Sequence, residues 1–455
     1  MSEHSLTRRT LLKGAAGGAV ALGGGALPAW SRPVSRATRL RRPDSLPFPH
    51  LPAGHPSMPE IRHIVVVMME NHSFDNILGM AGHEIPALRG LDGLTVRGGK
   101  LRNFNRDASG RRVYAKHAST PCQLHAKPSQ AWDASHTSYN GGRNDGFVLA
   151  SGDDAMWFWD KRDLPGTYSL ARHFPIGERY FCSTLAQTYP NRRFFFAGTA
   201  SGSIDDKAYA LVTPAANGTI FDRLDAHRIS YVSYYQDLAS WLILPNVRNN
   251  ATQVAKARRM DRFFSDAAAG RLPQFSVLDP NYQTTSEENP QDVQVGEQFV
   301  AQVARAILHS PNWRHTALFL TYDEHGGYYD HVPPPRAIAP DAIKPQTYPA
   351  QNAPGSYDRY GFRVPLIVVS PWARKNYVSR IVQDHTSITA FVERKWNLPA
   401  MTFRDANAQP MTDYFDFTRP AFATPPAITA APALHPGLVR CKAAGYNPPL
   451  PPGVS

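Results

Sequence analysis

The run Ile61-Arg62-His63-Ile64-Val65-Val66-Val67-Met68-Met69 leads straight into Glu70-Asn71-His72-Ser73-Phe74-Asp75-Asn76. An apolar, β-branched stretch of that length reads as a strand buried on both faces of a parallel sheet. Open α/β sheets place their ligands just beyond the carboxyl ends of such strands. Glu70 and Asn71 stand at that end, and a carboxylate beside a side-chain carbonyl suits a hard or borderline divalent cation. For this end to be a reaction site, the rest of the chain must supply further ligands and an attacking group.

A second apolar run, Thr316 to Tyr322, ends in Asp323-Glu324, followed by His325-Gly326-Gly327 and His331. If the two strands are neighbours, Glu70, Asn71, Asp323 and Glu324 form one oxygen-dominated metal site for a divalent ion whose identity is left open, Ca and Zn both being suitable. A lone Asp-Glu pair is otherwise a solvated strand end. Ile229 to Tyr235 and Val364 to Ser370 read as further core strands, with Phe275 to Leu278 a weaker fifth. Val293 to Leu308 has helical apolar spacing, and Ile388 to Trp396 looks like another helix. Strands alternating with helices predict an α/β fold, a three-layer α/β/α sandwich around a mainly parallel sheet. The long connection from Leu91 to Asp145 is of the kind that builds substrate pockets.

The termini read differently. Thr7-Arg8-Arg9-Thr10-Leu11-Leu12-Lys13 before a Gly/Ala-rich stretch predicts a twin-arginine (Tat) export signal over residues 1–30. A Pro/Arg-rich linker over residues 31–58 follows, then one catalytic domain, 59–455, with a Pro-rich tail from about Pro420. Export implies a periplasmic or secreted protein that engages the Tat machinery. The formal net charge of +12 favours anionic partners. Much of that excess, including Arg8, Arg9, Lys13 and Arg32, precedes the first strand, so no specific nucleic-acid partner is indicated. Cys122, Cys182 and Cys441 allow one intramolecular disulfide, with the pairing open, and form no metal-ligand cluster. Oligomeric state is left open.

Candidates for chemistry lie on three further segments. In Thr184-Leu185-Ala186-Gln187-Thr188-Tyr189-Pro190-Asn191-Arg192, Pro190 places Thr188 near a helix N-terminus. There free amides and the helix dipole stabilise phosphate and an alkoxide. Thr188 is the candidate nucleophile, with Ser183 and Thr184 as rivals and a plain N-cap as the alternative. Asn191 and Arg192 are placed to hold phosphate oxygens, although Arg192 reads equally as a surface residue. His385, opening the helix to Trp396, reads as a metal ligand, a proton donor or a structural histidine. His136, ahead of Asn140-Gly141-Gly142-Arg143-Asn144-Asp145-Gly146-Phe147, is a loop candidate. Met156-Trp157-Phe158-Trp159 suits contact with lipid or ordinary packing.

Together and in this order, these motifs resemble the bacterial phosphoesterase family of non-specific phospholipases C and related acid phosphatases. The resemblance adds Arg363 to Trp372 and Asp384 to Ser387, and runs from about Ile61 to Trp396. It implies an alkaline-phosphatase-like α/β/α fold and a single-metal hydrolase with Glu70, Asn71, Asp323 and Glu324 around the metal. It also implies Thr188 as nucleophile and a phosphoester substrate, with a phospholipid at a membrane surface among the candidates. Phospholipase C-like cleavage is the first expectation; an acid phosphatase or a catalytically weak phosphoryl-binding protein is the alternative. Two positions depart from the family: Gln130 and Asn289 stand where histidines are common, and neither can act as an acid near neutral pH. His136, His325 or His331 are then the candidate proton donors.

Overall fold

The computed structural model describes residues 40–123, 128–347 and 351–431. The predicted export signal, the first part of the predicted linker and Cys441 lie outside the described residues. The strand runs assemble into one eight-stranded sheet. In chain order its strands are β1 (His63–Met69), β2 (Ile176–Gly177), β3 (Tyr231–Tyr235), β4 (Ala257–Arg259), β5 (Phe275–Asp279), β6 (Thr316–Tyr322), β7 (Leu366–Val369) and β8 (Val378–Ser379). The spatial order is β4-β3-β5-β1-β6-β7-β2-β8. Every neighbouring pair is parallel except those made by β7, which runs antiparallel to both β6 and β2. β1 and β6, each wholly or almost wholly buried, pair in register from His63 opposite Thr316 to Met69 opposite Tyr322.

The helices that matter are α1 (Phe74–Leu78), α2 (Pro165–His173), α3 (Thr188–Ala197), α4 (Ile220–Ala226), α5 (Met260–Ala268), α6 (Val293–Leu308) and α7 (His385–Trp396). α2, α5 and α6 pack as one layer, and α3, α4 and α7 as the other, with the sheet between them. This is the α/β/α sandwich expected from the sequence. α6 starts at a cap in which Asp292 accepts the Gln294 amide, and α7 at an Asp384/Ser387 capping box.

Residues 40–58 are not a linker. They belong to the same compact unit as the rest of the body. Asp44 N donates to Ala400 O, Phe48 N to the Asn397 side chain and Ser57 N to Lys395 O, while Met58 joins the core. Their Pro and Arg content suggested an extended chain; the segment instead runs as a series of turns held against the end of α7. The described start of the Pro-rich segment, residues 421–431, also lies on the body: Trp313 Nε1 donates to Phe422 O, and Phe422 is buried. Met156, Phe158 and Trp159 are buried too, so their segment packs inside rather than offering itself to lipid. Cys122 takes part in a disulfide, and Cys182 is a buried free thiol.

Candidate active site

Four neighbouring strands, β3-β5-β1-β6, end in acid. Asp237 lies just after β3, Asp279 ends β5, Glu70 follows β1, and Asp323-Glu324 follow β6. The parallel register therefore gathers at one edge the carboxylates that the sequence scatters over more than 250 residues. Asp323, Glu324, Asp279 and Glu70 are all buried. Burial, then the Asp323 charge, pushes the Glu70 and Glu324 carboxyls well above the usual carboxylate range. Burial also raises Asp323 and Asp279, against the pull of Arg192.

Thr188 is the first residue of α3, after Gln187 in the extended cap position. Its hydroxyl lies 3.4 Å from Asn71 Oδ1 and also bonds the Asp323 carboxylate. The outer atom of the Asn71 amide sits 2.6 Å from Asp323 Oδ1 and 3.1 Å from Glu324 Oε1. As an oxygen it faces only other acceptors, an arrangement a cation between them stabilises; turned over, its nitrogen donates to both carboxylates. Carboxylates, an amide oxygen and a hydroxyl converging in a buried, acid-rich pocket fit a divalent cation of the hard or borderline kind.

Arg192 is not poised for phosphate. Its guanidinium is buried and each nitrogen is engaged: Nε to Asp323 at 2.9 Å, Nη1 to Asp279 at 3.3 Å, and Nη2 to Met68 O at 3.2 Å and Glu70 at 3.4 Å. It is the fixed counter-charge that ties three strand ends together. Asn191 is likewise a scaffold. Its Oδ1 accepts the Thr184 amide at 3.0 Å, and its Nδ2 donates to Ala186 O and Gln187 O, pinning the turn that leads into Thr188.

The three histidine candidates also take other places. His385 Nε2 donates to Asp323 O at 2.6 Å and Nδ1 accepts from Tyr180 at 2.9 Å, so it clamps the β6 terminus. His331 sits between Asp75 at 2.7 Å and Asp92 at 2.9 Å, next to the Arg363–Asp330 pair. These carboxylates overcome the cost of burial and raise its pKa to about 10, so it is a cation in a structural network. His136 Nδ1 donates to Trp132 O at 2.7 Å, and the ring lines a separate cavity with Tyr139 and Arg359. His325, also considered, is enclosed beside Glu324, and burial lowers it to about 3. Asn144 of the loop motif donates to Asp330 O, which makes that motif part of the same structural network. Of the rival hydroxyls, Ser183 is bonded to Asp384 at 2.8 Å, and neither Ser183 nor Thr184 lines the cavity described next.

A cavity of about 310 Å³ opens over Thr188, Glu70 and Arg192, walled by Tyr189, Tyr282 and Leu238 and by Asp206, Asp237 and Glu288. Burial, above all, raises Asp206 and Glu288 to about 7. Sequence reasoning missed Asp279, Asp206, Asp237, Glu288 and Tyr282. Asp279 and Asp237 were within reach of the rule that found Glu70, because each follows an apolar strand. A further group lies elsewhere: His117, Asp160 and Asp163 hold their ligand atoms within 4.8 Å of one another. Arg162 already grips both Asp160 oxygens, and His117 bonds Asp163 at 2.7 Å, so these groups pair with one another.

Residues 61–399 match the model of the Phosphoesterase family. Among known proteins, the chain is 30% identical over 403 residues to non-specific phospholipase C1 of Arabidopsis thaliana, covering 82% of this chain and 74% of that one. It is 27% identical over 459 residues to phospholipase C A of Mycobacterium tuberculosis, covering 88% and 86%. To the hemolytic phospholipase C of Pseudomonas aeruginosa it is 28% identical over 415 residues, covering 79% and 56%. The match spans every strand that carries an acidic end and the helix that carries Thr188: the chain belongs to the Phosphoesterase family.

Proposed function

We propose that this protein is an exported, metal-dependent phosphoesterase that cleaves phosphodiesters in the manner of a phospholipase C, with Thr188 as nucleophile. The observation that carries the reading is the placement of the Thr188 hydroxyl. It stands at a helix N-terminus and at a cavity, 3.4 Å from Asn71, among buried carboxylates whose charge Arg192 alone does not balance. Glu70, Asn71, Asp323 and Glu324 would hold one divalent ion, which supplies positive charge to a developing alkoxide and to phosphate oxygens. Arg192 keeps the carboxylates oriented. The Thr188 oxygen attacks phosphorus in line, its proton leaving to solvent, and water later hydrolyses the phosphothreonine. The first-turn position of Thr188 favours negative charge.

The cavity wall favours a diester over a monoester. Asp206, Asp237 and Glu288 line it beside Glu70. The Asp237 carboxylate, which accepts two backbone amides, repels a second negative charge on phosphate more than it repels a singly charged diester. Export agrees with the Cys122 disulfide, which persists in an oxidising compartment.

Thr188→Ala tests the enzyme reading. It should lower turnover by about 10³-fold or more, as loss of other hydroxyl nucleophiles does, and remove any phosphoenzyme trapped by acid quench. Retained turnover excludes Thr188 as nucleophile; intact ligand affinity in a wild type without turnover leaves a phosphoryl-binding protein instead. A chromogenic phosphocholine ester compared with a chromogenic phosphomonoester separates the two enzyme classes. Hydrolysis of the monoester alone points to an acid phosphatase.

A further inference from the structure

Cleaving a phosphoester of an ordinary alcohol requires a proton for the departing oxygen. None of the histidines put forward for this task reaches the Thr188 cavity. His385 and His331 are clamped, His325 is enclosed, His136 lines another cavity, and neither Gln130 nor Asn289 is on the cavity wall.

The wall holds three carboxyl groups beyond the Glu70 edge: Glu288, Asp237 and Asp206. Glu288 is hydrogen-bonded to Glu70 and so belongs to the carboxylate cluster. Asp237 accepts the Tyr282 amide with one oxygen and the Leu238 amide with the other. Asp206 is different. Its Oδ1 accepts the Tyr189 amide at 2.7 Å, which anchors the carboxyl beside the first turn of α3, one residue from Thr188. Among the described residues it shares no hydrogen bond with Glu70, Asn71, Asp323 or Glu324, and the group is part of the cavity wall.

We propose that Asp206 is the general acid of this active site, giving its proton to the leaving oxygen as Thr188 attacks phosphorus. The proposal rests on Thr188 being the nucleophile. The bond from Thr188 Oγ to phosphorus forms while the bond from phosphorus to the leaving oxygen breaks. The electron pair goes to that oxygen, which takes the Asp206 proton, and Asp206 is left as carboxylate. In the second half, water attacks phosphorus and passes a proton to Asp206. Thr188 departs as alkoxide and takes a proton from solvent, restoring the start.

The surroundings keep Asp206 protonated near neutrality. Burial is the main cause of a pKa near 7, opposed by the Tyr189 amide and Arg192 from α3. Asp323 from the β6 end and neighbouring Asp205 raise it further. Glu70 and Glu324 at the ends of β1 and β6, Glu288 in the loop before α6 and Asp237 at the β3 end are the other acids around it.

Asp206→Asn keeps an oxygen for the Tyr189 amide but has no acidic proton. Two soluble substrates separate the roles: dihexanoyl phosphatidylcholine, whose leaving group is an alkoxide, and p-nitrophenyl phosphocholine, whose leaving group needs little protonation. The expected result is a loss of about 10²–10⁴-fold in kcat on the alkyl substrate and a far smaller loss on the aryl one. The fall in wild-type kcat as pH rises through about 7 should vanish in Asp206→Asn and persist in Asp206→Glu. Equal losses on both substrates, or an unchanged alkaline limb, overturn the role of Asp206. Neither outcome touches Thr188, whose failure is read separately, as turnover surviving in Thr188→Ala.

Discussion

Arg192 shows how one residue orders a cluster of others. Its fork reaches Asp279, Asp323 and Glu70, the ends of three adjacent strands, and its flat face lies 5.2 Å from the Tyr282 ring. Removing it leaves several buried carboxylates facing each other with no internal cation. Loss of one partner of a buried ion pair costs about 3–5 kcal/mol, so Arg192→Met should lower unfolding stability by that order. A divalent cation should restore part of the loss, since it supplies charge to the same oxygens. Arg192→Lys should recover little, because an ammonium cannot span the three acceptors at once. Denaturant unfolding of each variant, with chelator and with added calcium or zinc, reads both effects. A loss that metal does not diminish contradicts a shared electrostatic role.

At the scale of elements, the turn from Ser183 to Gln187 decides where Thr188 points, and Asn191 holds that turn from inside the helix it introduces. Asn191→Ala gives up bonds to Thr184, Ala186 and Gln187. An unmade bond to a buried backbone group costs about 1–3 kcal/mol, and the freed turn should lower kcat more than it raises KM. Unchanged kcat shows that α3 alone fixes the nucleophile. The strands were legible because burial on both faces writes an unbroken apolar run, as in Val65 to Met69. The two-residue strands β2 and β8 carry no such run and exist only through their neighbours. The antiparallel direction of β7 is equally invisible, because direction depends on where the chain re-enters the sheet. That Glu70, Asn71, Asp323 and Glu324 converge was readable from strand ends. For His385, His331 and Arg192 the side chain suggests chemistry, while the partner across the fold decides the role. Asp206 lies on no strand end and had no local mark at all.

The whole molecule concentrates acid in its interior while its formal net charge is +12, and this sets how stability should follow pH. Glu297, bonded to the Gly166 and Thr167 amides at the start of α2, is raised to about 7 by burial, as are Asp206 and Glu288 at the cavity. Between the unfolded carboxyl value of about 4.3 and 7, the folded chain keeps protons that the unfolded chain has released. Stability therefore falls as pH rises through that window. His331 works in the same direction at higher pH: its folded value of about 10 stabilises fully below the unfolded value of about 6.5, and that contribution is lost as pH climbs towards 10. Asp92, lowered to about 2, works oppositely in acid, as do the buried imidazoles of His325, His72 and His385, lowered to about 3 and 4, up to the unfolded value of about 6.5; the larger set of raised interior acids outweighs them. Chelated protein should accordingly melt at its highest temperature near pH 5 and at progressively lower temperatures to pH 8. A divalent ion binds the deprotonated carboxylates, so the increment in Tm on adding it should grow over the same range. Melting curves at pH 5, 6, 7 and 8, with chelator and with saturating calcium or zinc, measure both slopes. A chelated protein more stable at pH 8 than at pH 5 rules out protonated interior acids as the source. An increment that does not change with pH places the ion away from the carboxylates at the ends of β1 and β6.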